Sequence, residues 1–355
     1  MSTPRSLTKR RRLSTKLHTP GSVFGIRNRN HDKAEQENDS QVQYTVRPER
    51  LYFNIHDSDS GSDEDYNDLE DLTGKTWKVF RVSPLHNFEY TTVRMKQYGQ
   101  RMREGLTTLL TDSTLDAHYE VNFSVAEGLT LTQNDSEAIK ILVNVTKRKN
   151  GEDLRSKYYI GFMVCRGASK GLEEQFTIHL PVLLCSGTVR AAKSVHFLLQ
   201  KFFDCSVNSY QLSQEDLMWF CALQADEKDT RKGMSQAELM FSFPQLSVRN
   251  RIRFKVPLNS LKYLWDSIHD RNSEYASFKE VEKFYEAVQQ QMIRVFEVNV
   301  AKGQLVRIKT PTLSVTNETK LRAKTGSVLN YVLKFLYEGT AVIDTTTPML
   351  SVQRH

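Results

Sequence analysis

Charged residues are segregated along this chain into two blocks and a mixed remainder. Residues 1–30 contain eight basic residues and no acidic one, whereas residues 31–71 contain thirteen acidic and three basic residues. Neither block has enough aliphatic residues to offset the conformational entropy that ordering would cost. We therefore predict that residues 1–71 form a disordered charged tail and that the folded body begins near Leu72.

The remaining residues have the pattern of a folded α+β protein. The chain is 39% hydrophobic and 10% aromatic, which is enough to build a core. Strand-like runs occur in groups with helical patterns interspersed irregularly, and this order favours mostly antiparallel sheets over a doubly wound parallel fold. We predict two α+β halves, residues 72–206 and residues 207–355, of which the second holds basic strands and a sheet edge that binds a partner.

Local periodicity predicts the individual elements. Strands are expected at residues 77–82, 119–126, 138–145, 157–165, 176–184, 238–243 and 249–256, with a bend at Pro181. Helices are expected at residues 91–111, 194–203, 211–224, 258–269, 277–296 and 327–338. Ser213 is expected to cap the third helix. Segments 303–310 and 320–325 are expected to pair as a long hairpin.

The residue types that carry common enzyme chemistry do not form recognisable motifs. Gly74-Lys75-Thr76 lacks the earlier glycine of a phosphate-binding loop, because Leu69 occupies that position. No His-Glu-x-x-His or Gly-x-Ser-x-Gly sequence is present. The four cysteines lack zinc-ligand spacing, so we expect them to be buried and reduced in a nuclear or cytosolic protein. We predict no enzyme activity, no cofactor, no metal and no small-molecule substrate. We also predict no membrane contact, since no apolar run reaches ~18–20 residues.

Basic and apolar residues alternate in three of the predicted strands. Because successive strand residues point to opposite faces, the run RNRIRFK (249–255) places its cations on one face. Residues on one face recur about every 6.6 Å, close to two phosphate steps along a DNA strand. We predict that these faces contact DNA through Arg249, Arg251, Arg253, Lys255, Arg307, Lys309, Lys320, Arg322 and Lys324. The alternative is that they are the solvated side of half-buried sheets, balanced by carboxylates from elsewhere.

Short motifs in the tail indicate nuclear import and phosphorylation. The import patch consists of Lys9, Arg10, Arg11 and Arg12. The candidate phosphorylation sites lie in basophilic, proline-directed or acidophilic kinase contexts and are Ser14, Thr19, Ser58, Ser60 and Ser62.

Five segments of the body occur in a recognisable order and at recognisable spacing. They are LTGKTWKVFRVSPLHNFEY (72–90), LPVLLCSG (180–187), QKFFDCSV (200–207), LKYLWDSIHD (261–270) and QLVRIKT (304–310). As an ordered set they resemble the centromere protein L family over about residues 72–340, although no single segment is diagnostic. The tail has no counterpart in the resemblance, and the basic strand at 249–255 is inferred from its residues alone.

The resemblance implies a non-enzymatic subunit of the constitutive centromere-associated network, located in the nucleus at the centromere and kinetochore of the chromosome. It implies centromere protein N as an obligate partner, joined through a C-terminal sheet that continues between the two chains. It also implies contacts with the centromeric nucleosome, nearby DNA and other network subunits. We expect residues 295–340 to supply the sheet edge and a covering helix, with Leu305, Val306, Ile308 and Leu321 as interface candidates.

Two other classes of protein stay open at this level. A nucleic-acid-binding regulator unrelated to kinetochores would keep the basic strands without needing an obligate partner. A divergent enzyme would be supported by an acidic cluster facing a deep pocket.

Overall fold

The computed structural model describes residues 67–110, 117–130, 135–149, 152–165, 177–226, 235–244, 251–270 and 276–344. The helices in these ranges are α1 (Asn67–Leu72), α2 (Thr92–Leu110), α3 (Val189–Phe203), α4 (Gln214–Asp226), α5 (Leu258–Asp266), α6 (Phe278–Phe296) and α7 (Gly326–Asp344). The strands are β1 (Trp77–Val82), β2 (Leu85–His86), β3 (Ala117–Ala126), β4 (Ala138–Lys149), β5 (Glu152–Val164), β6 (Thr177–Ile178), β7 (Val182–Gly187), β8 (Val207–Ser209), β9 (Gln236–Ser242), β10 (Arg251–Pro257), β11 (Gln304–Lys309), β12 (Leu313–Thr316) and β13 (Lys320–Ala323).

Eleven of these strands form one sheet that runs through the described body. Its order is β10-β9-β11-β12-β13-β1-β7-β5-β4-β3, and β8 pairs with the second half of β1. Every pairing found among the described strands is antiparallel, so the predicted α+β class is confirmed. Strands from both predicted halves share this sheet, and the division into residues 72–206 and 207–355 stays a prediction. None of the described helices is long and apolar enough to cross a bilayer.

One face of the sheet changes character at β1. Lys78 lies opposite Cys185 of β7 in one direction and opposite Lys320 of β13 in the other, so these side chains share a face. On the Cys185 side, α2 and α3 cover this face, with Met102 and Leu199 buried against the strands. Beside β7 this face of the sheet is therefore part of a packed core, and beside β1 it continues on β13, where it carries the Lys320 side chain.

The opposite face is covered by α4, α5, α6 and α7. Their buried side chains form one cluster with the apolar positions of the C-terminal strands, including Phe254, Ile308 and Leu321. The cluster also contains Phe220 and Phe284, which come from α4 and α6. Because these helices pack on the apolar side of β9 to β13, the alternate residues of those strands point away from them.

The predicted tail ends too late in the sequence. Residues 67–72 form helix α1, in which Leu69 and Leu72 are buried in the core. Two of the three acidic residues of α1 are paired: Asp68 and Asp71 both bind Lys140 of β4. Burial opposes the charge of Lys140, but the hydrogen bonds that Lys140 donates to Asp68 and Asp71 prevail and raise its pKa. The prediction of disorder is therefore wrong over residues 67–71, while residues 1–66 lie outside the described residues.

Two strand predictions are also wrong. The run 176–184 forms two strands in different sheets, because β6 pairs with β2 whereas β7 pairs with β1 and β5. Segments 303–310 and 320–325 do not pair with each other, since β12 lies between β11 and β13. The predicted helices are present, and Ser213 caps α4 by accepting from the Asp216 amide at 3.1 Å.

Candidate nucleic-acid interface

Cations from several strands form rows across the uncovered face of the sheet. Strand register places Lys255 of β10, Glu238 of β9, Lys309 of β11, Ser314 of β12 and Arg322 of β13 side by side. Side chains that are directly opposite in neighbouring strands share a face and lie about 5 Å apart at Cβ. The sheet therefore brings together charges that are up to 84 positions apart in the chain. We call this surface, which β9 to β13 form, the basic face.

A second row runs parallel to the first. It consists of Arg253, Met240, Arg307 and Thr316, again one from each successive strand. The backbone register shifts between Leu305 and Arg307, and this bulge keeps Arg307 and Lys309 on the basic face while Leu305 stays in the core.

The basic face is concave. It encloses a hollow of about 810 Å³. Seven of the nine predicted DNA-contact residues line it, namely Arg251, Lys255, Arg307, Lys309, Lys320, Arg322 and Lys324. Hydroxyl side chains of β12 and its flanks, including Thr312 and Ser314, form part of the floor. The alternation read from the sequence thus places cations from three strands in a single hollow.

Two carboxylates neutralise part of this charge. Glu318 accepts from Arg251 Nη2 at 2.8 Å and lies 3.9 Å from Lys320 Nζ. The hydrogen bond from Arg251 holds the pKa of Glu318 below its ordinary value, so this carboxylate is ionised at neutral pH. Glu238 Oε1 lies 3.1 Å from Arg253 Nε.

Five cations of the basic face have no ion-pair partner among the described residues. They are Lys255, Arg307, Lys309, Arg322 and Lys324. The Arg307 side chain is half-buried and donates to Ser314 Oγ at 3.4 Å. A concave surface with five unpaired cations is suited to an extended polyanion, because each anionic group meets a cation without displacing a carboxylate.

The other two predicted DNA-contact residues are not among those that line the hollow. Arg253 is on the same strand face but pairs with Glu238 and lies outside the hollow. Arg249 lies outside the described residues, as do the import patch and the five candidate phosphorylation sites.

Sequence reasoning missed two charged residues of the basic face, Glu238 and Glu318, and one beside it, Lys78 of β1. Glu238 and Lys78 occupy alternate positions of predicted strands. The alternation of ELMFSF (238–243) and WKVFRV (77–82) carried that signal. Glu318 follows β12 in a turn that contains Thr319 in the left-handed region, at φ 64°, and its position depends on a strand that was not predicted.

The predicted partner interface is wrong in its geometry. Leu305, Val306, Ile308 and Leu321 are all buried within the chain, at 3% exposure or less. Strand β11 is paired with β9 on one side and β12 on the other, and β13 is paired with β12 and β1. Residues 295–340 therefore present no sheet edge.

The ends of the described sheet are β10 and β3. Beside β10, helices α5 and α6 form a second hollow of about 220 Å³, with apolar walls from Leu261, Leu264, Val288 and Met292. Val295 and Phe296, at the end of α6, line this hollow and are 59% and 39% exposed. The C-terminal half thus has its open edge at β10, next to exposed apolar side chains.

Cysteine and histidine side chains form no metal site in the described part of the chain. All four cysteines are free and buried, which confirms this part of the prediction, whereas the nuclear or cytosolic compartment stays a prediction. His196 lies on the buried side of α3 with Nε2 3.2 Å from Tyr159 Oη, and burial lowers its pKa to about 4. Burial also raises the pKa of Cys185 and Cys221 to about 12, so both stay protonated.

Comparison with known proteins places these features in a family. The profile of the centromere protein L family matches residues 71–338, which is well over half of the chain. Human centromere protein L is 25% identical over 308 residues, covering 84% of this chain and 83% of the human protein. Rat centromere protein L is 24% identical over 308 residues with the same coverage, and the bovine protein is 25% identical over 311 residues, covering 84% and 82%. The resemblance found in the sequence is confirmed, and this chain belongs to the centromere protein L family.

Proposed function

We propose that this chain is a non-enzymatic subunit of the inner kinetochore that anchors a complex with centromere protein N on centromeric chromatin. Family membership supports the centromeric role. The observation that supports the chromatin contact is the basic face, which presents in one hollow five cations without an ion-pair partner in the described part of the chain. The import patch at residues 9–12 supports a location in the nucleus.

The basic face would bind the sugar–phosphate backbone rather than bases. Its side chains lie on a sheet that is covered by helices on the other side, so no described helix projects from it into a groove. Phosphate contacts fix the position of DNA without reading its sequence. We therefore expect binding that is nearly independent of DNA sequence.

A triple substitution tests the DNA contact. Arg307→Gln, Lys309→Gln and Arg322→Gln together remove three unpaired cations of the basic face. The matched control replaces Lys279, Lys283 and Lys302, which are exposed and lie outside the face, with Gln. Binding of each full-length chain to two unrelated duplexes is measured by fluorescence anisotropy.

The face variant is expected to bind both duplexes about tenfold or more weakly, and the control is expected to bind like the wild type. Equal affinities of the face variant and the control would assign these cations to solvated surface, which is the alternative that the sequence left open.

Centromere protein N is proposed to add a strand to β10. The resemblance implies a sheet that continues between the chains, and β10 is the open end of the sheet in the C-terminal half. The hollow beside it offers apolar contacts at Val295 and Phe296 to side chains of an added strand. Partner pairing at β10 would also extend the basic face onto the second chain.

Co-purification tests this placement. Val295→Asp with Phe296→Asp introduces charges into the hollow and is expected to abolish recovery of centromere protein N. Val93→Asp with Leu109→Asp is the control, because these residues are 65% and 42% exposed on α2 and lie far from β10 in the sheet order. If the folded variant with Val295→Asp and Phe296→Asp recovers as much centromere protein N as the wild type does, the interface lies elsewhere.

Localisation tests the kinetochore role itself. A fluorescently tagged chain is expected to give paired foci on the chromosomes of dividing cells. A signal spread evenly along chromosomes would favour the other candidate, a nucleic-acid-binding regulator unrelated to kinetochores.

A further inference from the structure

We propose that residues 57–66 of this chain bind its own basic face and compete with DNA for it. The sequence of this segment is DSDSGSDEDY, with five carboxylates and no cation. The basic face offers five cations without ion-pair partners among the described residues. The two charge patterns are complementary in sign and in number.

The segment ends next to a helix that is fixed to the body. Residue 67 is the first residue of α1, and α1 is held by the burial of Leu69 and Leu72 and by the ion pairs of its carboxylates with Lys140. A segment anchored in this way has a high effective concentration at any surface within its reach.

The other end of α1 leads directly to the basic face. The Gly74 amide donates to the Ala323 carbonyl at 2.7 Å, at the end of β13, and Thr76 lines the hollow. Arg322 and Lys324, the nearest unpaired cations, flank Ala323 in the sequence. A methyl group added at Gly326 would lie 3.1 Å from Leu69 Cδ2, so α1 lies beside the strand end that carries these cations.

The length of the segment is sufficient for this contact. From residue 67 to Thr76, one short helix and four linking residues span at most about 22 Å. Ten extended residues span about 33 Å, which brings Asp57 and Asp59 to the hollow even after the chain passes around the strand ends. The cations on β13 are therefore within reach, and those on β11 lie about 10 Å further across the sheet.

Phosphorylation would strengthen this contact. Ser58, Ser60 and Ser62 alternate with the carboxylates of the segment. Each phosphate adds about −1.5 to −2 charge, so three phosphates roughly double the negative charge of the segment. Through this segment, kinases would regulate the DNA contact proposed above. The competition with DNA rests on that proposed function, whereas the docking of the segment does not.

Two variants of equal charge test the inference. In the segment variant, Asp57, Asp59, Asp63, Glu64 and Asp65 become the corresponding amides. In the control variant, Asp32, Glu35, Glu37, Asp39 and Glu49 become amides, which removes five carboxylates from the preceding part of the chain. Both are made in the full-length chain and compared with the wild type.

Docking is measured without DNA by carbodiimide coupling, which joins a carboxylate to a lysine amine in contact with it. In the wild type and the control, coupling is expected between residues 57–65 and Lys309 or Lys324, and mass spectrometry locates the products. In the segment variant these products are expected to be absent. Their absence from the wild type would overturn the inference, whatever the DNA measurements give.

Competition is measured by DNA affinity. If the segment occupies the basic face about nine-tenths of the time, the apparent dissociation constant of the wild type is raised about tenfold. The segment variant is then expected to bind DNA about tenfold more tightly than the wild type, and the control less than twofold more tightly. An equal gain in both variants would overturn the inference in favour of bulk charge repulsion. Coupling products with no DNA binding by any variant would support the docking and contradict the proposed function.

Discussion

Arg253 Nε lies 3.1 Å from Glu238 Oε1, so a carboxylate of the inner strand β9 neutralises the central cation of the outer strand β10. Glu238 also stands between Lys255 and Lys309 in the row that crosses the sheet. The basic face therefore has one anionic group near its middle, beside cations for which the described ranges contain no ion-pair partner. Any polyanion that lies across β9 must approach this carboxylate.

Removing that carboxylate is expected to strengthen DNA binding. Glu238→Gln keeps the shape of the side chain but frees Arg253 to meet a phosphate. The slope of log affinity against log salt is expected to become steeper by up to about 0.9, the contribution of one phosphate contact. Salt titration of DNA binding by the full-length chain measures this slope.

Glu286→Gln provides the control for this change, because Glu286 is exposed on α6. Both substitutions raise the net charge by one. The same slope for the two variants would mean that Glu238 affects DNA only through net charge.

Two truncations locate the start of the folded body. Removing residues 1–66 is expected to leave the melting temperature almost unchanged. Removing residues 1–72 also deletes Leu69 and Leu72, whose burial stabilises the fold by about 4 kcal/mol, and leaves Lys140 without its carboxylates. A fall of about 10 °C in the melting temperature is expected.

Calorimetry of the two truncated chains distinguishes the alternatives. Equal melting temperatures would support the prediction that the tail extends through residue 71.

The hydrogen bond from Trp77 Nε1 to the Leu72 carbonyl, at 2.7 Å, provides a finer test, because Trp77→Phe removes this link between α1 and β1. Its expected cost is about 1 kcal/mol beyond the change in packing.

The sequence predicted those elements whose periodicity is strong and local. The alternation of RIRFKV gave β10 and the side on which Arg251 and Lys255 lie, and Ser213 marked the start of α4. Sequence reasoning went wrong where pairing is non-local or where charge counts concealed a pattern. Leu69 and Leu72 are three residues apart, as in an amphipathic helix, but the surrounding carboxylates suggested a solvated tail.

The position of β12 explains the largest errors. Its four residues, LSVT, lie between Pro311 and the turn at Asn317–Thr319, and such a short polar strand resembles a loop. Inserting it separates β11 from β13 and gives β11 two neighbours. The predicted hairpin and the predicted sheet edge at residues 295–340 both depended on the absence of this strand.

A buried histidine is expected to make stability depend on pH. Burial and, to a smaller extent, the charge of Lys78 together lower the pKa of His196 from its ordinary 6.5 to about 4. Between these values the unfolded chain binds a proton at His196 that the folded chain excludes, so the free energy of unfolding rises with pH from 4 to 6.5. The contribution of this group over that interval is about 3 kcal/mol.

His196→Asn is expected to remove this part of the pH dependence, because the amide retains a polar contact for Tyr159 but does not titrate. Chemical denaturation at pH 4.5 and 6.5 measures the difference, with His118→Asn on the exposed side of β3 as the control. The same difference between the two pH values in His196→Asn and in the wild type would show that His196 does not carry the effect.

The most direct test of the account is the salt dependence of DNA binding by the basic face. If each of the five unpaired cations neutralises one phosphate, log affinity of the full-length chain falls with log salt at a slope of about −4.5. Substituting Arg307, Lys309 and Arg322 with Gln is expected to reduce the slope to about −1.8, whereas substituting Lys279, Lys283 and Lys302 leaves it near −4.5. Equal slopes for both triple variants, with both chains folded, would contradict the assignment of this face to DNA.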